Sequence, residues 1–306
     1  MKFIKTNIIV IALFSCVYSV AQQLPQFTQY MYNTISINPA YAGSREALSI
    51  VGLHRSQWVG FKGGPITQTL SIHTPLRNDR IGLGLSFMED DLGPENFTYL
   101  YGDFSYAIPT GYNSKLAFGI KGGFTQYSLD DDFRNDVSND DYFDYYENKW
   151  DPNIGLGVYW SSNRVYFGLS APRILKTDKN KTKDYEALEV ISYYFTGGLV
   201  LDLNKSIKFK PAFLIKATNG APVSYDLTAN FLFNEKFWFG GSYRINEYTA
   251  AIGGIVDFQV SRQLRVGYAY EKPLSEIADH TTGTHEILLI YEFKFINSKL
   301  KSPRYF

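Results

Sequence analysis

Ile81-Gly82-Leu83-Gly84-Leu85-Ser86-Phe87 puts a large apolar side chain at every second position and Gly or Ser between. A helix would scatter these residues around its circumference. An extended chain sends them all to one face, so the stretch reads as a strand. The same period recurs outward in both directions. It is found at Leu116/Phe118/Ile120, Ile154/Leu156/Val158/Trp160, Val165/Phe167/Leu169, Tyr193/Phe195 with Leu199/Leu201, and Ile207/Phe209 with Phe213/Ile215. It continues at Tyr225/Leu227/Ala229/Phe231/Phe233, Leu264/Val266/Tyr268/Tyr270 and Ile287/Leu289/Tyr291/Phe293. With less regular segments near 48–58, 66–73, 97–108, 237–244 and 248–258, the sequence predicts 14 strands. That number is even, as closure of a bacterial outer-membrane barrel requires.

Two patterns separate a barrel in lipid from a soluble sandwich. In the clean strands no charged residue falls on the apolar face, whereas Lys121, Lys208, Lys210, Lys216, Asp226, Arg265, Glu286, Glu292 and Lys294 fall on the other. An Arg or Lys facing lipid at mid-bilayer costs about 2–4 kcal/mol, so a membrane enforces such segregation. A soluble sandwich segregates its faces too, and loop length discriminates better. Alternate connections are short, at Thr74–Asp79, Pro109–Ser114, Ser161–Asn163, Asp202–Lys205, Asn234–Glu235 and Gln259–Arg262. All the long ones, Ser128–Trp150, Pro172–Val190 and Lys272–Thr282, fall at the opposite end. Short inner turns and long outer loops are the outer-membrane plan. Two features resist it: Leu288 and Ile290 are apolar on the lumen face, and Pro211 removes a ladder donor inside a strand.

Composition agrees. The 306 residues include 24 Tyr, 23 Phe, 4 Trp and 25 Gly, a mix suited to strands and tight turns. The 30 Lys+Arg against 30 Asp+Glu provide no basic excess to neutralise phosphates, so no nucleic-acid partner is expected. Lys2 and Lys5 precede an apolar run from Ile8 to Phe14, and Ser19-Val20-Ala21 places small residues where a signal peptidase reads. Residues 1–21 read as a signal peptide. Ile8 to Ala21 is 14 residues, short of the roughly 20 that a membrane anchor needs. Cys16, in Leu13-Phe14-Ser15-Cys16, weakly suggests a lipoprotein box, but bulky Phe14 and the short apolar core argue against it. Cleavage after Ala21 removes the single cysteine, and with it disulfide, thiol and zinc–thiolate chemistry. The expected organisation is then a periplasmic or plug segment over 22–47, a barrel over 48–295 and a tail over 296–306.

Catalysis finds no support. His280 and His285 are five apart across a Thr/Gly loop, and His285-Glu286 opens a strand rather than a metalloprotease helix. Gly82-Leu83-Gly84 and Gly155-Leu156-Gly157 lack the third Gly and the helix of a dinucleotide loop; they read as small lumen-facing residues. No Gly-x-Ser-x-Gly elbow occurs. No enzyme activity, metal or cofactor is expected. The Ser128–Trp150 loop interleaves carboxylates such as Asp131 and Asp140 with Tyr142, Tyr145 and Trp150. Exposed aromatics are candidate partner anchors, clustered carboxylates a candidate calcium site without EF-hand spacing, and a plain solvated acidic loop is the simplest alternative. The Pro172–Val190 loop, with Lys176, Lys179, Lys181 and Lys183, reads as a solvated basic loop.

The segment after the leader reads Gln23-Leu24-Pro25-Gln26-Phe27-Thr28-Gln29-Tyr30-Met31-Tyr32-Asn33, then Ile37-Asn38-Pro39-Ala40-Tyr41-Ala42-Gly43. Arg55-Ser56-Gln57-Trp58-Val59-Gly60-Phe61 and Gly64-Pro65-Ile66-Thr67 follow. With the strand-rich remainder these stretches resemble the PorP/SprF family of the Bacteroidetes type IX secretion system, from about Gln22 to the last strand, the Asn-Pro-Ala-Tyr-Ala-Gly run being the most specific part. The resemblance implies an outer-membrane barrel, not an enzyme, assisting export or surface attachment of large proteins such as gliding adhesins. It implies as partners the translocon, periplasmic secretion components and a cognate secreted protein with a type IX C-terminal domain, besides membrane lipid. Gln26, Phe27, Tyr30, Asn38, Pro39, Tyr41, Gly43 and Trp58 are the motif residues; Asn38-Pro39 and Ala42-Gly43 are turn formers. Packing into the barrel mouth is their simpler reading, and direct partner contact the other. A passive small-solute porin is the alternative function.

Overall fold

The structure, a computed structural model, describes residues 24–76, 79–130, 150–175 and 190–293. All fourteen expected strands form. They are β1 (Leu48–Ser56), β2 (Ile66–Pro75), β3 (Ile81–Leu92), β4 (Glu95–Gly111), β5 (Ser114–Leu129), β6 (Trp150–Ser162) and β7 (Val165–Ala171). Next come β8 (Ser192–Leu199, resumed at Leu201–Asp202), β9 (Ile207–Thr218), β10 (Ser224–Phe233), β11 (Phe237–Ile245), β12 (Ala250–Gln259), β13 (Leu264–Pro273) and β14 (Thr284–Phe293). Each strand pairs antiparallel with the next, and β14 pairs with β1 in unbroken register from Leu48↔Phe293 to Ser56↔His285. The sheet is thus a closed 14-strand barrel without an edge, the form in which strands can cross a bilayer with every backbone group paired.

The period-two pattern sorts as expected. Leu85, Ile120, Leu156, Leu169, Leu227, Phe239, Ile252 and Leu289 point outward and are 50–58% exposed. Lys121, Lys210, Lys216, Asp226, Arg265, Glu286 and Glu292 point inward and are buried; Lys294 lies outside the described residues. The turns 112–113, 163–164, 203–206, 234–236 and 260–263, with Leu76 and 79–80, form one mouth, and the connections 57–65, 93–94, 219–223, 246–249 and 274–283 belong to the other, as do Asp130, 172–175 and 190–191. Of the acidic loop, Trp150 is half exposed at the start of β6, while Asp131, Asp140, Tyr142 and Tyr145 lie outside the described residues, as do residues 1–23, in which the leader was expected.

Both resisting features acquire causes. Pro211 pairs with Ala229 on one side; on the other, where it offers no donor, the ladder lapses between Phe209↔Leu201 and Ala212↔Gly198 and β8 is split at Val200, whose amide continues the β7 register by donating to the Arg164 carbonyl at 2.8 Å. Leu288 and Ile290 are buried because residues from the chain's own N-terminal segment pack on them inside the barrel. Aromatics divide differently from a purely lipid-facing band: Tyr99, Tyr101, Tyr159, Tyr166, Tyr194 and Trp238 turn inward and are buried. A tyrosine suits that face because its ring fills volume while its hydroxyl bonds the wall, as Tyr101 does with Thr125 at 2.8 Å.

The lipid-facing assignment has a direct test. Leu227→Arg, at the centre of an outward row, is expected to lower barrel stability in denaturant by about 2–4 kcal/mol, whereas Leu203→Arg, in a short turn, changes it little. Equal effects at the two positions contradict the assignment.

Candidate functional site

Residues 24–47 occupy the lumen. Strand alternation supplies the barrel with an inner lining, and this segment supplies the matching filling: Phe27, Tyr30, Met31, Tyr32 and Ile37 form one apolar cluster with Val51, Leu53, Leu214, Ile255, Leu288 and Ile290. The segment does not cap one mouth. Leu24 packs near Tyr99 and its carbonyl accepts from Lys216 Nζ at 2.7 Å, close to the long-loop mouth. Tyr32 then donates to Asp257 at 2.9 Å, and Arg45 bonds Glu292 at 2.9 Å near the short-turn mouth. The chain therefore threads the barrel from loop end to turn end before entering β1.

In the upper part the segment meets a charged network. Arg55 bridges Glu286 and Glu271, the latter at 3.4 Å, and Arg244 bridges Glu271 at 3.2 Å and Asp226 at 2.5 Å. The Glu286 carboxylate accepts two successive backbone amides, from Thr28 at 2.6 Å and Gln29 at 3.0 Å. Thr28 Oγ1 donates to Glu271 at 3.1 Å, and Gln26 donates its amide to Asp226 and Ser224. Tyr30 shares a 3.4 Å contact with Thr228. Buried charges are tolerated only when paired; each of these has a partner on the wall, and Arg55, Glu286, Glu271 and Asp226 also have one on the segment.

The lower part is shaped by turns and glycines. Thr34–Ile37 forms a single helical turn, α1, and Pro39–Tyr41 a 3-10 turn with Pro at its favoured first position. Asn38 starts the latter: its Oδ1 accepts from the Ala40 amide at 3.0 Å while its Nδ2 donates to the Val158 carbonyl at 3.0 Å. Tyr41 packs edge-to-face on His73 and Tyr159, and its hydroxyl accepts from Arg45 Nε at 3.1 Å. Gly43, at φ 74°, donates its amide to His73 Nδ1 at 3.2 Å, and a Cβ there would lie 2.8 Å from Gly82 Cα. The wall receives these turns through its own glycines. A Cβ on Gly119 would approach the Ala40 amide to 2.2 Å, one on Gly157 the Asn38 Oδ1 to 2.1 Å, and one on Gly82 the Ala42 carbonyl oxygen to 2.1 Å.

Seven of the eight motif residues, Gln26 to Gly43, thus converge inside the barrel. Trp58 does not: it lies in the 57–65 loop, where its amide meets Thr284 Oγ1 at 3.3 Å and its ring packs on Phe61. Sequence reasoning missed Arg55, Glu271, Glu286, Arg244 and Asp226 as one cluster. The signal available was their placement on inward faces near the same end of neighbouring strands.

A family model described as type IX secretion system membrane protein PorP/SprF matches residues 19–291. The chain belongs to that family. Among solved structures, the CymD monoaromatic hydrocarbon channel is 11% identical with TM-score 0.52 over 89% of this chain and 94% of that one. Omp33 of Acinetobacter baumannii is 9% identical with TM-score 0.49 over 81% and 98%. At such identities the likeness shows the fold alone. No curated protein matches. The chain is an outer-membrane-type barrel and a membrane component of type IX secretion.

The glycine seat predicts a specific failure. Gly119→Ala and Gly157→Ala place a methyl where backbone and Asn38 now sit, so the 38–43 turns should leave the wall and residues 24–47 become protease-sensitive while the barrel keeps its heat-modifiable gel mobility. Undiminished protection of the segment in both variants contradicts this seating.

Proposed function

We propose that this PorP/SprF protein is an accessory barrel that helps export, or hold at the surface, a large cognate secreted protein, gliding adhesins being the type of cargo, rather than a pore for small solutes. The reading is carried by the family match over residues 19–291 together with a lumen occupied by the chain's own segment 24–47. A passive channel needs a continuous water path, and the apolar cluster of Phe27, Tyr30 and Met31 on Leu288 and Ile290 lies across it. Such a barrel acts by the partners it holds.

On this reading residues 1–21 are a cleaved leader, 22–47 the plug, 48–295 the barrel and 296–306 a tail, with the long loops outside the cell and the short turns in the periplasm. Translocon and periplasmic components meet the turn mouth and the membrane-embedded wall. The cognate protein, through a type IX C-terminal domain, meets the loop mouth, where Trp58 and Trp150 stand, and Asp131, Asp140, Tyr142 and Tyr145 are the further contacts this reading assigns to it. The protein carries no catalytic role.

Deleting this chain from its host and comparing surface proteins is the test. The expected result is loss of one or a few large type IX proteins from the surface, with periplasmic retention, while other type IX proteins still appear; re-expression restores them. An unchanged surface set overturns the proposal.

A further inference from the structure

We propose that the upper lumen around residues 24–33 is an exchangeable peptide site, in which a turn-forming, aromatic segment of an exported polypeptide takes the place of this chain's own N-terminal residues. The choice of occupant rests on the secretion role above.

The wall holds this stretch by its backbone at three points, besides the side-chain bonds of Gln26, Thr28, Tyr30, Tyr32 and Asn33. Glu286 holds the consecutive amides of Thr28 and Gln29, and Lys216 holds the Leu24 carbonyl. Any peptide chain can offer two amides and a carbonyl in that arrangement. Glu286 does not depend on the segment for its own placement. Arg55 pairs with Glu286 and Glu271, and Arg244 pairs with Glu271 and Asp226, all across the wall, so each of these carboxylates keeps a cationic partner when the segment leaves.

The resident segment also fits imperfectly. Gln29 is fully buried, yet neither its Oε1 nor its Nε2 has a hydrogen-bond partner among the described residues. A buried unpaired amide costs free energy that another sequence at this position would not incur. Residues 38–43, by contrast, are keyed to Gly82, Gly119 and Gly157 at separations that leave no room for a Cβ on the wall, so they anchor the segment while its first residues exchange. Those first residues lie toward the long-loop mouth, where a surface-delivered chain arrives.

The test uses purified full-length protein in detergent carrying Gln26→Cys in a Cys16→Ser background. The probe is a fluorescent synthetic peptide of the sequence of residues 24–33. Saturable binding is expected, with at least about tenfold faster thiol labelling at position 26 when the peptide is present. The same peptide N-methylated at the amides corresponding to Thr28 and Gln29, which removes both donors to Glu286, should bind at least about tenfold more weakly. No saturable binding, or equal binding of the two peptides, overturns the inference. Export loss on deletion combined with no peptide exchange overturns only the exchange; peptide exchange with an unchanged surface set overturns only the secretion role.

Discussion

Every residue of a closed barrel strand faces either lipid or lumen, and the fourteen strands here turn so many bulky, apolar and charged groups inward that the interior needs a filling. Residues 24–47 provide it. Phe27, Tyr30 and Met31 cover the apolar inner patch that includes Leu288 and Ile290. The amides of Thr28 and Gln29 complete the hydrogen bonding of Glu286. Without the segment that patch would face water, and the buried carboxylates would lose donors that are costly to leave unmade. Segment and wall are therefore one packed unit, although they are separate in sequence.

The two halves of the filling are held by different physics. Near the loops the contacts are hydrogen bonds from the segment's backbone and side chains to a charged wall cluster built on Arg55, Glu286, Glu271 and Arg244. Near the turns they are steric, a close fit of the Asn38–Gly43 turns against glycines on β3, β5 and β6. Ionic pairing in a polar lumen tolerates substitution of one peptide by another, whereas steric keying does not. The proposed exchange follows from this difference, with recognition at the loop end and anchorage at the turn end.

The strands were legible because period-two patterning is local: Ile81 to Phe87 announces its own conformation. Mouth assignment was legible too, since loop lengths alternate. The filling was not, because nothing local marks Gly119 or Gly157 as seats for Ala40 and Asn38, residues some eighty to one hundred and twenty positions earlier in the chain. Leu288 and Ile290 looked out of place for the same reason. Their partners come from a segment with no strand pattern, and burial of that kind is visible only once the sheet has closed. Asn38-Pro39 was readable as a turn, but the surface that receives it was not.

Ion conductance of the purified protein in planar bilayers tests the filled lumen most directly. The account predicts that the intact chain stays essentially closed across the voltage range in which porins conduct steadily. A large, steady, reproducible conductance from the intact chain would contradict it, since residues 24–47 could not then occupy the path described.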